Sequence, residues 1–134
     1  MKKLGLDIGD VWVGTALADA MGITCRPFQT VTLQELDQFI EELLQREPID
    51  TVVVGHPITA GGKVSQQTES TEKIFARLKE RFKEVSWVLW DERFSTKRAA
   101  SVTKGRKKNK KGEHSIAAAF VLQSYLDSIA HLMG

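Results

Sequence analysis

Apolar residues alternate with polar ones early in the chain and switch to helical spacing later. Residues 3–9, KLGLDIG, and 11–18, VWVGTALA, read as paired strands around Gly9-Asp10. Residues 23–31, ITCRPFQTV, make a third strand, and Pro27 inside it predicts an edge or a bulge. From Thr32 the period changes. Thr32 and Glu35 have capping-box spacing, and Leu33, Leu36, Phe39, Ile40, Leu43 and Leu44 line one helical face, which ends at Pro48. The run TVVVG at 51–55 is apolar throughout, as in a strand covered on both faces. A glycine loop precedes a helix from Gln66 to Lys83, followed by a strand at 85–90, VSWVLW. FSTKRAASV at 94–102 reads as helical, KGRKKNKKG as mobile, and a final buried helix runs from Glu113. Five strands with helices between and after them predict an α/β layered domain with a mixed sheet.

The length of 134 residues suits one domain spanning 1–134. The single cysteine, Cys25, forms no internal disulfide, and no apolar run resembles a signal peptide or a membrane span. These features predict a soluble cytoplasmic protein with no membrane partner. Charge adds more. Residues 1–96 hold eleven Lys/Arg against fifteen Asp/Glu, whereas 97–111 hold eight basic residues and no acid. Such a block suits a polyanion, or is simply a solvated loop.

Three acids sit at carboxyl ends of strands, where open α/β sheets assemble their sites. Asp7 lies near the end of the first strand, and Asp91-Glu92 follow VSWVLW. Two acids brought together repel unless a proton or a cation lies between them, and Mg²⁺ prefers oxygen ligands. Alternatively, Asp7 caps a turn and Asp91-Glu92 cap a helix with Arg93 as ion-pair partner. His114 stands in the first turn of the last helix, near the same edge. It is either a metal ligand that tilts preference toward Mn²⁺ or a solvated residue at a helix start. Its neighbour Glu113, one residue along the helix, is expected to point elsewhere.

LGLDIGDVWVGTALAD, VVVGHP with its glycine loop, WDERFSTKRAA and HSIAAAFVLQSYLD occur in the order seen in the YqgF (RuvX) family, which the chain resembles over nearly its whole length. The resemblance implies an RNase H-like fold and a metal-dependent nuclease, using Mn²⁺ or Mg²⁺, that trims the 5′ end of precursor 16S ribosomal RNA. It implies Asp7 and Glu92 as catalytic metal ligands, with Asp91 beside them. The family pattern carries Asp immediately before the segment matching SIAAAFVLQ. Here that position is His114, as in some related resolvases, so His114 is expected to complete the set. Basic residues commonly follow the first Gly-x pair, where this chain has Val11-Trp12. Either a phosphate contact is missing there, or Trp12 stacks on a base. Arg93, Lys97, Arg98, Lys104, Arg106, Lys107, Lys108, Lys110 and Lys111 are the expected phosphate contacts, on precursor rRNA or branched DNA, with ribosomal particles as possible further partners. Two other readings are a Holliday junction resolvase-like endonuclease and a non-catalytic RNA- or ribosome-binding module.

Overall fold

The computed structural model describes residues 1–58, 61, 64–92 and 110–133, with side chains of the last helix over 113–130. Five strands form one sheet: β1 (Lys2–Ile8), β2 (Trp12–Ala18), β3 (Cys25–Thr32), β4 (Ile49–His56) and β5 (Ser86–Asp91), in the order β3-β2-β1-β4-β5. β1, β2 and β3 are antiparallel neighbours, and β4 and β5 add in parallel. Among the described residues three helices cover it: α1 (Leu36–Arg46), α2 (Gln66–Arg81) and α3 (Lys110–Met133). No helix among the described residues is long and apolar enough to cross a membrane.

Strand alternation sorts the side chains between two cores. Leu4, Leu6 and Ile8 of β1, Val13 and Leu17 of β2, and Val52 and Val54 of β4 join Leu36, Ile40 and Leu43 of α1 and Leu78 of α2. Burying each such side chain is worth about 1.5–3 kcal/mol. The opposite face is built from smaller residues. Ala16, Ala18 and Val53 receive Ala118, Val121, Leu122 and Leu126 of α3. β4 is buried from Thr51 to Gly55, as its continuous apolar run predicts. β3 is an edge strand, and its pairing with β2 slips between Gly14 and Ala16, opposite Pro27.

Element boundaries shift where side chains clasp the backbone. β3 starts at Cys25, not residue 23, because Asp19 binds the Ile23 N–H at 3.3 Å and the Thr24 hydroxyl at 3.2 Å. The expected Thr32–Glu35 box forms: Glu35 Oε1 accepts from Thr32 N at 3.1 Å, and Thr32 Oγ1 accepts from Glu35 N at 3.2 Å. It encloses a turn, so α1 begins only at Leu36. β4 begins at Ile49, aligned with Lys2, because Lys2 N donates to Pro48 O at 2.7 Å. α3 begins at Lys110, three residues before the expected start. No proline interrupts that stretch, and Gly112 costs a helix only about 1 kcal/mol. His114 is therefore the fifth helical residue and not a first-turn residue. The helix expected at 94–102 and most of the lysine run lie outside the described residues.

Candidate functional site

α3 crosses the sheet where β2 has no side chain. A Cβ placed on Gly14 would lie 1.9 Å from the main-chain carbonyl carbon of His114 and 2.0 Å from its oxygen. Gly14 is aligned with Asp7 on β1. The same close approach therefore lays His114 against Asp7, and the imidazole Nδ1 is 2.7 Å from Asp7 Oδ2. The ring also rests on Gly9, whose Cβ would meet His114 Cε1 at 2.6 Å.

Glu92 arrives from the far side. β4 lies between β1 and β5, and a carboxylate after β5 must cross it to reach Asp7. Gly55 near the end of β4 leaves the space: a Cβ there would stand 2.5 Å from Glu92 Oε1. Glu92 and Asp7 are in side-chain hydrogen-bond contact. Burial, the hydrogen bond to Asp7 and the charges of Asp7 and Asp91 push the Glu92 carboxyl up to about 9. At neutral pH Glu92 is therefore protonated. His114 is also raised, chiefly by its hydrogen bond to Asp7, with burial opposing. Its Nδ1–H donates to the Asp7 carboxylate.

Asp7, Glu92 and His114 line one cleft of about 630 Å³, together with Asp10 and Glu113. Trp12 and Gln67 form part of its wall. The Gln67 amide donates to Ile8 O at 2.7 Å and ties the start of α2 to the end of β1. Three groups taken from sequence thus meet in space. Glu113, expected to point away, lines the cleft too, beside His114 near the start of α3. Asp10 and Gln67 were not singled out. Asp10 follows Gly9 directly and could have been suspected from the turn, whereas nothing local marks Gln67. Asp91 does not line the cleft and acts on Glu92 through its charge. Arg93, Lys97, Arg98, Lys104, Arg106, Lys107 and Lys108 lie outside the described residues, and Lys110 and Lys111 are described only as helical backbone. His56 finds a local partner, with Nε2 2.9 Å from Glu72 Oε2.

Among the described residues no group of three or more His, Cys, Asp or Glu side chains is spaced to hold a metal ion. The donor chemistry does fit one. Two carboxyl groups in contact repel when both are charged, which is what raises Glu92, and a divalent cation relieves that repulsion as a proton does.

A stability prediction follows from Glu92. Its folded value lies above the ordinary 4.5, so the stabilisation is fully present below about pH 4.5 and is lost as pH rises toward about 9. Glu92→Gln keeps the neutral shape and removes this dependence. In chelator, the unfolding free energy of the variant should exceed that of wild type increasingly from pH 5 to 9, by an amount on the order of several kcal/mol at the alkaline end. Parallel melting curves across that range would show that Glu92 is not held protonated. His114 adds a decline of the same sign above its ordinary 6.5, common to both proteins.

The sequence matches the RuvX family, described as Holliday junction resolvase, over residues 1–128. It is 36% identical over 142 residues to a protein of Shouchella clausii (strain KSM-K16) provisionally named a pre-16S rRNA nuclease, covering 99% of each chain. A protein of Bacillus subtilis (strain 168) with the same provisional name is 36% identical over 138 residues, covering 96% of this chain and 99% of the relative. In fold the chain is similar to T. thermophilus RuvC, solved in complex with a Holliday junction substrate, with a TM-score of 0.61 at 10% identity over 97% of this chain and 96% of that one. The mixed five-stranded sheet with helices on both faces is thus the RNase H-like α/β fold implied by the motifs.

Proposed function

Because the chain belongs to the RuvX family, we propose that it is a phosphodiester hydrolase acting on precursor 16S ribosomal RNA, with Asp7, Glu92 and His114 as its hydrolytic centre. The observation that carries this reading is the meeting of those three side chains, from β1, the end of β5 and α3, in one cleft. Asp7 is the central member, in contact with both partners. Glu92, as a carboxylate, would be the second oxygen ligand beside Asp7 for a divalent cation. The His114 nitrogen nearest Asp7 is Nδ1, so a cation shared with Asp7 would be met by Nδ1, deprotonated and released from its hydrogen bond to the carboxylate. Asp91, outside the cleft, adds negative charge that disfavours the Glu92 carboxylate until a cation balances it. A divalent ion, Mg²⁺ or Mn²⁺, when bound supplies activation of the attacking water and neutralisation of charge on the leaving oxygen.

The cleft itself is acidic, with Asp7, Asp10 and Glu113 about His114, so it repels a phosphate until that charge is balanced. The basic residues between Lys97 and Lys111 supply the complementary attraction along the strand. Alanine at Lys107, Lys108, Lys110 and Lys111 should reduce the slope of log affinity against log salt by about 3 for a single-stranded RNA. An unchanged slope would remove that segment from the contact surface.

The reading is tested by single-turnover cleavage with Mg²⁺ or Mn²⁺ on a precursor 16S rRNA fragment and on a four-way DNA junction. Cleavage of the precursor supports it. Cleavage of the junction alone makes the protein a resolvase, and salt-sensitive RNA binding without cleavage of either makes it a binding module.

A further inference from the structure

The wall of the cleft offers something the hydrolytic trio does not. Strand alternation sends Val13 into the α1/α2 core and Trp12 to the opposite face, the face of Asp7 and His114. Trp12 is half-buried and lines the same cleft as the trio. Its backbone is fixed on both sides. Gly9 N donates to Trp12 O at 2.8 Å across the hairpin, and Leu33 N donates to the adjacent Val11 O at 3.0 Å. Val11, at the hairpin tip, is an exposed apolar residue (58%) beside it. The result is an aromatic wall on a rigid mount, across Gly9 from Asp7.

Resting on the hydrolase reading above, we propose that Trp12 is a stacking platform for an unpaired base next to the scissile phosphate, so that the substrate class is single-stranded rather than continuous duplex. A base inside a duplex has both faces covered by its neighbours and shows only its edges. Exposing a face costs a few kcal/mol of unstacking, whereas a single strand presents it freely. Stacking is tolerant of base identity, since every base has a π-face. Trp12 therefore sets strandedness and position but not sequence. It is a positioning residue: it holds the neighbouring base, and the trio does the chemistry.

The test is equilibrium binding in Ca²⁺, which balances the acidic cleft, read as binding rather than cleavage and so standing apart from the hydrolase reading. The probes are a short single-stranded oligoribonucleotide and the blunt duplex of the same sequence. Intrinsic fluorescence is followed at the same time, because Trp12 is one of only three tryptophans. Trp12→Ala should weaken single-strand binding by about tenfold to a hundredfold and leave duplex binding within about twofold. Trp12→Phe should restore most of the affinity while abolishing the fluorescence quench that wild type shows on binding. Circular dichroism checks that each variant folds, and Trp12→Phe keeps the test open if Trp12→Ala does not. Equal losses for strand and duplex, no loss in Trp12→Ala, or a quench that persists in Trp12→Phe would each overturn the assignment. A wild type that binds with the predicted preference but never cleaves leaves the platform standing and removes only the hydrolase.

Discussion

Asp7→Asn should lower single-turnover cleavage by about a thousandfold or more without unfolding the protein. Asp7 is the shared partner of the site: its carboxylate accepts from His114 Nδ1 at 2.7 Å and is hydrogen-bonded to Glu92. Asparagine keeps the size and removes the charge. A cation bound there would lose one of its two carboxylate ligands, and His114 would keep only a neutral amide oxygen as the acceptor that orients its ring. Metal-assisted hydrolysis draws several kcal/mol from such charge stabilisation, and each 1.36 kcal/mol is tenfold in rate. Stability should move the other way or not at all. In chelator the Asp7 charge is part of what raises Glu92, so its removal relieves repulsion between two buried acids. The expected pair of results is a lost rate and an undiminished thermal midpoint at pH 8. Equal cleavage by wild type and Asp7→Asn would place the chemistry elsewhere.

Gly14→Ala should be the most damaging small substitution in the sheet. The added carbon would lie 1.9 Å from the His114 carbonyl carbon, 2.0 Å from its oxygen and 2.3 Å from Ser115 N. These are backbone atoms of a long helix, so no rotamer change relieves the contact. Either α3 lifts from the sheet or β2 bends. Overpacking of this kind costs about 1–3 kcal/mol and occasionally more. A chain of this size loses very roughly 3–5 °C per kcal/mol, so a fall of about 10 °C in thermal midpoint is expected. Gly61→Ala is the control, since nothing among the described residues lies within 4 Å of a Cβ there. Activity should fall further than stability, because lifting α3 draws His114 away from Asp7. Equal midpoints for Gly14→Ala and Gly61→Ala would mean that α3 does not rest on β2 at this point.

The same glycine shows what the chain revealed before folding. The strands, the three described helices and the edge position of β3 follow from alternation, helical spacing and Pro27, which are local properties. Asp7, Glu92 and His114 were identifiable because each interrupts or borders an apolar run and because the motifs resemble a known family. What was not legible is how they meet. Gly14 and Gly55 look like ordinary strand glycines until the pairing of β1 with β2 and β4 is known, and only then do they become the gaps that admit a helix and a carboxylate. Glu113 was misjudged because the angle at which α3 enters the cleft depends on the sheet beneath it. Gln67 was missed for a similar reason, since its partner is the backbone of Ile8, 59 residues away.

Anomalous diffraction from crystals soaked in Mn²⁺ at pH 8 tests the central claim most directly. The account predicts a peak within coordinating distance of Asp7, Glu92 and His114 in wild type, and none in Asp7→Asn. Clear density for all three side chains with no peak among them, at a Mn²⁺ concentration that supports cleavage, would contradict it.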